Sequence, residues 1–86
     1  MNYSEFIQYN NLKYKKLRDK KKVRLSIRER KVLTLAAQGL DNVQIGKILY
    51  ISSHTVKAHL KKTFQKFEVS NRTHAVYLAM KDKIIE

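Results

Sequence analysis

Between Ser53 and Phe67 the chain strings together His54, Lys57, His59, Lys61, Lys62, Gln65 and Lys66 without a single carboxylate. Positive charge, imidazole and a primary amide at this density suit recognition of an anionic polymer. At 100° per residue a helix puts His54, Ala58, Lys61 and Gln65 on one side, with Lys57 and Lys62 flanking them. It gathers Val56, Leu60, Thr63, Phe64 and Phe67 on the other. Lysine can donate to guanine O6 and N7, glutamine can pair with adenine, and a small residue such as Ala58 can meet a thymine methyl or let the backbone come close. On an isolated basic helix the same face would be ordinary solvated surface. Its setting in the chain changes that reading.

Other chemistry finds no assembly here. His54 and His59 are five residues apart and diverge around a helix, His74 is remote, and no Asp or Glu stands at ligand spacing, so no metal and no cofactor is expected. Serines fall at helix starts rather than beside a base, the two glycines form no phosphate-cradling loop, and cysteine is absent. Neither an enzyme nor a small-molecule ligand is expected. The longest apolar runs are only a few residues long, so no membrane partner is expected.

The reading face needs a rigid support, and the preceding residues supply the punctuation for one. Ser26 with Glu29 forms a capping-box pattern ahead of Val32, Leu33 and Ala36, and Gly39 offers a left-handed stop. Asp41 with Gln44 repeats the pattern for a short second helix, expected to carry Ile45, Ile48 and Leu49 inward. Only Tyr50, Ile51 and Ser52 separate it from the third helix, expected over 53–67 with Ser52 as cap; two helices joined so tightly make a helix-turn-helix. Asn71 is expected to cap a last helix through about Lys83. The fold class is therefore all-α, with four helices and a basic N-terminal extension. Register on a duplex is set by phosphate contacts, for which Ser53 and Thr55 at the third helix's start, Lys62, Lys66, Arg72 and Thr73 are the candidates.

Charge divides the chain near Arg24. The whole carries 19 Lys and Arg against 7 Asp and Glu, a net charge of +12, and such a field draws polyanions. Residues 1–24 hold eight of the basic residues against two acidic ones, so this extension carries half the net charge. Tyr3, Phe6, Ile7, Tyr14 and Leu17 within it fall at helical spacing, interrupted by Asn10 and Asn11. Residues 25–86 form the second unit. At 86 residues no separate sensor domain is expected, and so small a core favours self-association. The last helix supports that expectation: Ala75, Leu78 and Ala79 can face the core, leaving Val76, Tyr77, Met80 and Ile84 as an apolar surplus for a homodimer interface. A folded-back N-terminal segment is the alternative cover.

Several blocks in order carry a family resemblance: Leu25-Ser26-x-Arg28-Glu29-x-x-Val32-Leu33, Gly39-x-x-Asn42-x-x-Ile45, Ile51-Ser52-x-x-Thr55-Val56-Lys57-x-His59, and Lys66-Phe67-x-Val69-x-x-Arg72-Thr73-x-Ala75-Val76. Residues 25 to about 85 resemble the LuxR/GerE-type DNA-binding domain of bacterial transcription factors, in its stand-alone form. The resemblance implies a four-helix domain that binds double-stranded DNA, with Lys57, Ala58 and Lys61 facing base edges in the major groove. It also implies a homodimer joined largely through the fourth helix. His54 and Gln65 extend the same face. Lys31, Val43, Gly46, Glu68 and Lys83 depart from the family's usual residues; Gly46, where Ala is common, should cost the second helix up to about 1 kcal/mol, and Glu68 makes a left-handed stop less comfortable.

Three other readings use the same residues. Region 4 of sigma factors shares the helix-turn-helix grammar, although His59 and the Arg72-Thr73-x-Ala75-Val76 block favour the LuxR-like reading. A protein-interaction module binding a regulator or RNA polymerase would leave the basic face incidental. A tail acting alone on nucleic acid could coexist with sequence-specific binding. The compartment expected is the bacterial cytoplasm, in association with the nucleoid, though a mobile element or virus could also encode such a chain.

Overall fold

The structure is a computed structural model that describes residues 2–5 and 23–86. Among these it is all-helical, with α1 (Ile27–Ala37), α2 (Asn42–Leu49), α3 (Ser53–Phe67) and α4 (Arg72–Lys81); residues 3–5 are helical as well. Beyond Tyr3, the helical stripe expected in the N-terminal extension lies outside the described residues.

Each helix begins where a side chain can satisfy an unpaired backbone donor. Ser26 Oγ accepts from Glu29 N at 3.0 Å while Glu29 Oε1 accepts from Ser26 N at 2.7 Å. Asp41 and Gln44 make the same reciprocal pair at 2.8 and 2.9 Å. Ser52 Oγ accepts from Thr55 N at 3.0 Å and Asn71 Oδ1 from His74 N at 2.8 Å. Caps of this kind are worth about 1 kcal/mol each, a considerable share of a small domain's stability.

Helix ends follow one plan four times over. Gly39, Tyr50, Glu68 and Lys83 adopt positive φ, and the residue after each donates to the carbonyl five positions back: Leu40 to Leu35, Ile51 to Gly46, Val69 to Phe64 and Ile84 to Ala79. This is the Schellman arrangement, in which the reversed chain presents an apolar residue to the helix it has just left. Leu40, Ile51, Val69 and Ile84 all pack, half-buried, against the core. That core holds Val32, Leu33 and Ala36 of α1, Ile45 of α2, Val56, Leu60 and Phe67 of α3, and Ala75, Leu78 and Ala79 of α4, closed from beyond α4 by Ile85. α1 and α3 each pack against all the other helices, and Val23 and Leu25 lie against the core ahead of α1.

Two expectations are corrected. Ile48 is 50% exposed rather than inward-facing; with Ile45 and Gly46 buried and Leu49 half-buried, the inward arc of α2 is centred about 100° away from it. The last helix stops at Lys81, two residues early, because Lys83 turns left-handed (φ 57) and sends Ile85 into the interior. Gly46 also gains a purpose. A Cβ there would sit 2.6 Å from the Ile51 carbonyl oxygen, so the tight α2–α3 turn closes onto backbone that only glycine leaves open.

Opposite effects on stability are expected at two of these positions. Lys83→Gly removes the cost of a left-handed L-residue, roughly 1–2 kcal/mol, against a glycine entropy cost of roughly 0.5–1 kcal/mol, and should raise the thermal midpoint by a few degrees. Gly46→Ala gains about 1 kcal/mol of helix propensity but meets an overpacking cost of roughly 1–3 kcal/mol, and should lower it. Calorimetric melts of both variants check the signs.

Candidate nucleic-acid interface

α3 sorts its residues as the periodicity requires. Val56, Leu60, Thr63 and Phe67 are buried and Phe64 half-buried, while His54, Lys57, Ala58, Lys61, Lys62 and Gln65 are exposed. Thr63 tolerates full burial because its hydroxyl donates to His59 O at 2.9 Å. Its fifteen residues extend over about 22 Å, enough to lay several side chains along a groove. At its start Ser53 is exposed, and the half-buried Thr55 pairs its hydroxyl with Ser52 Oγ at 2.9 Å. Thr73, on α4, is exposed.

Lys66 and Arg72, the other two residues read from sequence as phosphate contacts, each make two hydrogen bonds inside the domain. Lys66 Nζ donates to Glu29 Oε1 at 2.6 Å and to Arg24 O at 2.9 Å. Arg72 donates to Leu40 O at 2.8 Å and to Asn42 Oδ1 at 2.7 Å, tying the start of α4 to the α1–α2 connection. Sequence periodicity places such residues on a flank but carries no sign of partners 37 or 32 positions away.

Glu29 is the buried charge of the domain, 3% exposed. Burial pushes its carboxyl upward, but hydrogen bonds from Lys66 and Ser26 and the ammonium charge of Lys66 outweigh this and hold it below the ordinary value of 4.5. It therefore stays ionised and holds α3 to the start of α1.

Two clefts flank α3. One, of about 520 Å³, lies between α3 and the start of α4, with Lys57, Lys61 and Gln65 at its rim and Leu60, Phe64 and Val69 among its walls. The other, of similar volume, is lined by Ser26, Glu29, His59, Lys62, Gln65 and Lys66. On α4, Tyr77 and Met80 are 58% and 51% exposed, and Val76 and Ile84 are half-buried; the Lys81 ammonium lies 6.0 Å from the Tyr77 ring centroid. Among the described residues no three His, Asp or Glu cluster as metal ligands, and no helix is long and apolar enough to cross a membrane.

The family model GerE, bacterial regulatory proteins of the luxR family, matches residues 23–79. In sequence the chain is 47% identical over 62 residues to the transcriptional activator protein BjaR1 of Bradyrhizobium diazoefficiens, covering 72% of this chain and 26% of that one. It is 45% identical over 58 residues to the transcriptional regulatory protein DegU of Brevibacillus brevis, covering 67% and 25%. The chain thus spans about a quarter of the length of these curated relatives. Among solved structures it superposes on the transcription factor GerE with a TM-score of 0.64 and 33% identity, covering 66% of this chain and 85% of that one. It superposes on the response regulator ChrA of a heme-sensing two-component system with a TM-score of 0.70 and 42% identity, covering 72% and 31%.

The Glu29–Lys66 contact yields a test of how α3 is held. A glutamate with a depressed native pKa adds stability that is complete above the unfolded value and is lost as pH falls through the native one. Glu29→Gln should lower stability by about 2 kcal/mol at neutral pH. It should also remove that portion of the acid-side slope. Urea titrations from pH 7 down to pH 3 read both, and parallel pH profiles for the two proteins would contradict the assignment.

Proposed function

This chain belongs to the luxR family of bacterial regulatory proteins, and from that premise we propose that it regulates transcription by binding a specific duplex sequence as a homodimer, with α3 seated in the major groove. The observation that carries this reading is the exposed, carboxylate-free side of α3, backed by a largely buried opposite side and introduced by a tight turn from α2. Lys57, Ala58 and Lys61, with His54 and Gln65, face base edges. Ser53, Thr55, Lys62 and Thr73 lie around them and contact phosphates. Lys66 and Arg72 serve first as scaffold, each committing two hydrogen bonds inside the domain.

The dimer reading rests on α4. Val76, Tyr77, Met80 and Ile84 form an apolar surplus beside the buried Ala75, Leu78 and Ala79, and a two-fold pairing through it would bury side chains that water otherwise wets. Two copies of α3 then meet successive major grooves, with half-site centres about 10 bp apart on a near-palindromic operator. The bacterial cytoplasm, where duplex DNA lies open to such a protein, is the compartment this function requires.

Lys57→Ala or Lys61→Ala should each cost about 1–3 kcal/mol on the preferred operator and relax preference at one base position. Titrations against duplexes carrying each base at each position read this, and an equal loss on every duplex would speak against base reading. Tyr77→Asp should leave a folded monomer by sedimentation with weakened operator binding. An unchanged sedimentation coefficient would remove the α4 interface from the reading.

A further inference from the structure

The outward arc of α3 accounts for base edges and phosphates, but the cleft between α3 and the start of α4 has no part in that. Its floor is apolar, built from Leu60, Phe64 and Val69, and its cations are Lys57, Lys61 and Arg72. None of the described residues lining it is a carboxylate. The cleft on the other flank of α3 differs on both counts, since it contains Glu29 and no hydrocarbon side chain. Phe64 and Val69 are half-buried, so the floor stays partly open to water in the free chain. Phe64 lies about 120° around α3 from Ala58. A duplex that meets Ala58, Lys61 and Gln65 with its base edges would therefore run past this floor and offer it phosphates rather than apolar surface. Wetted hydrocarbon beside positive charge is a combination that one amphipathic ligand satisfies at once.

We infer that this cleft is a docking groove for an acidic segment of another protein, which places a bulky apolar side chain on Leu60, Phe64 and Val69 and carboxylates on Lys57, Lys61 and Arg72. Charge complementarity selects the acid: the lining holds three cations, and the net charge of +12 draws an anionic partner from a distance. Shape selects a length of chain over a compact ligand. The lining follows α3 from Lys57 to Gln65, about 12 Å of helix. Lys57 and Lys61 are separated by about 6 Å along the axis, the rise between carboxylates four residues apart on a bound helix. Arg72 is held beside the groove by its bonds to Leu40 O and Asn42 Oδ1, which leave its charge intact. Lys57 and Lys61 also belong to the proposed base-reading face, so the segment and a duplex exclude one another. That exclusion rests on the DNA-binding reading, whereas occupancy of the groove does not.

The test selects peptides from a random display library on the full-length chain without DNA and measures the enriched peptide by fluorescence anisotropy. The expected product carries acidic residues around one aromatic or branched aliphatic side chain. Changing that side chain to alanine should weaken binding by about tenfold, a loss that persists at high salt, where charge alone is screened. Ser70→Glu, which adds a carboxylate to the exposed lining, should weaken it by about fivefold, and Lys31→Gln, an equal change in charge on α1 outside the lining, by less than about twofold. Phe64→Ala should weaken it by about tenfold, with circular dichroism melts to verify the fold; Ser70→Glu, at the surface, decides the matter if that variant unfolds. Acidic peptides indifferent to loss of the apolar side chain would reveal a polyanion surface and overturn the inference. So would an absence of enrichment, or equal weakening by Ser70→Glu and Lys31→Gln. Failure of the DNA-binding reading shows separately, as a peptide that occupies the groove but is not displaced by excess operator duplex.

Discussion

A single carboxylate oxygen of Glu29 accepts from both Ser26 N and Lys66 Nζ, and through these two bonds the start of α1 is fixed to the far half of α3. Burying a carboxylate costs several kcal/mol unless pairing and hydrogen bonds compensate, and here both do. Replacing such a pair with well-fitting apolar side chains is often neutral or better for stability; what an apolar contact lacks is direction. A lysine held by one oxygen of Glu29 and by the Arg24 carbonyl adds a directed tie to the rotation that the buried Val56, Leu60, Thr63 and Phe67 already give α3. That rotation determines whether Lys57, Ala58 and Lys61 point outward together. The interaction thus adds direction to a packing that apolar contacts already hold together.

Arg72 does the equivalent work at the other end, bonding to Leu40 O and Asn42 Oδ1. The helix ends complete the frame. Four reversals through positive φ each return an apolar residue to the core, so a domain of about sixty residues gains buried surface from segments that would otherwise be loops. Three of the four use an L-residue, with an attendant backbone cost, and the 94% exposed Tyr50 is among them. The repeated geometry shows that the i to i−5 bond and the inward apolar residue outweigh that cost.

Much of this was legible beforehand because the signals are local. A capping box lies within four residues, and the 3.6-residue period exposes both faces of a fifteen-residue helix, so the starts of α1 to α4 and the sorting of α3 could be read directly. Gly39 announced its reversal and the family resemblance marked Glu68 as an uncomfortable left-handed stop, whereas Lys83 gave no such sign and the last helix was expected to reach it. Ile48 misled because α2 has eight residues, too few for the pattern to show where its inward arc is centred. The partners of Lys66 and Arg72 were out of reach for a different reason. Long-range side-chain bonds depend on how helices cross, and periodicity along one helix carries no information about that. Gly46 could be read as a weak helix residue, whereas its close approach to Ile51 O belongs to the folded turn alone.

The electrostatics of α3 link its stability to its partner. Lys57 and Lys61, and again Lys62 and Lys66, stand four residues apart on one helix with no acidic residue among them, and like charges at that spacing oppose helix formation by about 0.2–0.5 kcal/mol per pair. Glu29 neutralises one of the four. All four side chains are exposed, where salt screens the charges beyond a Debye length of about 8 Å but not from one another at neighbouring turns. A phosphate backbone laid against this side, as proposed, would reverse the sign of the interaction, so that groups which weaken α3 in the unbound protein would strengthen it in a complex. The free domain is marginal in size, and its reading helix carries an uncompensated charge. On the reading proposed above, a duplex bound against this side would therefore stabilise the fold as well as occupy the site.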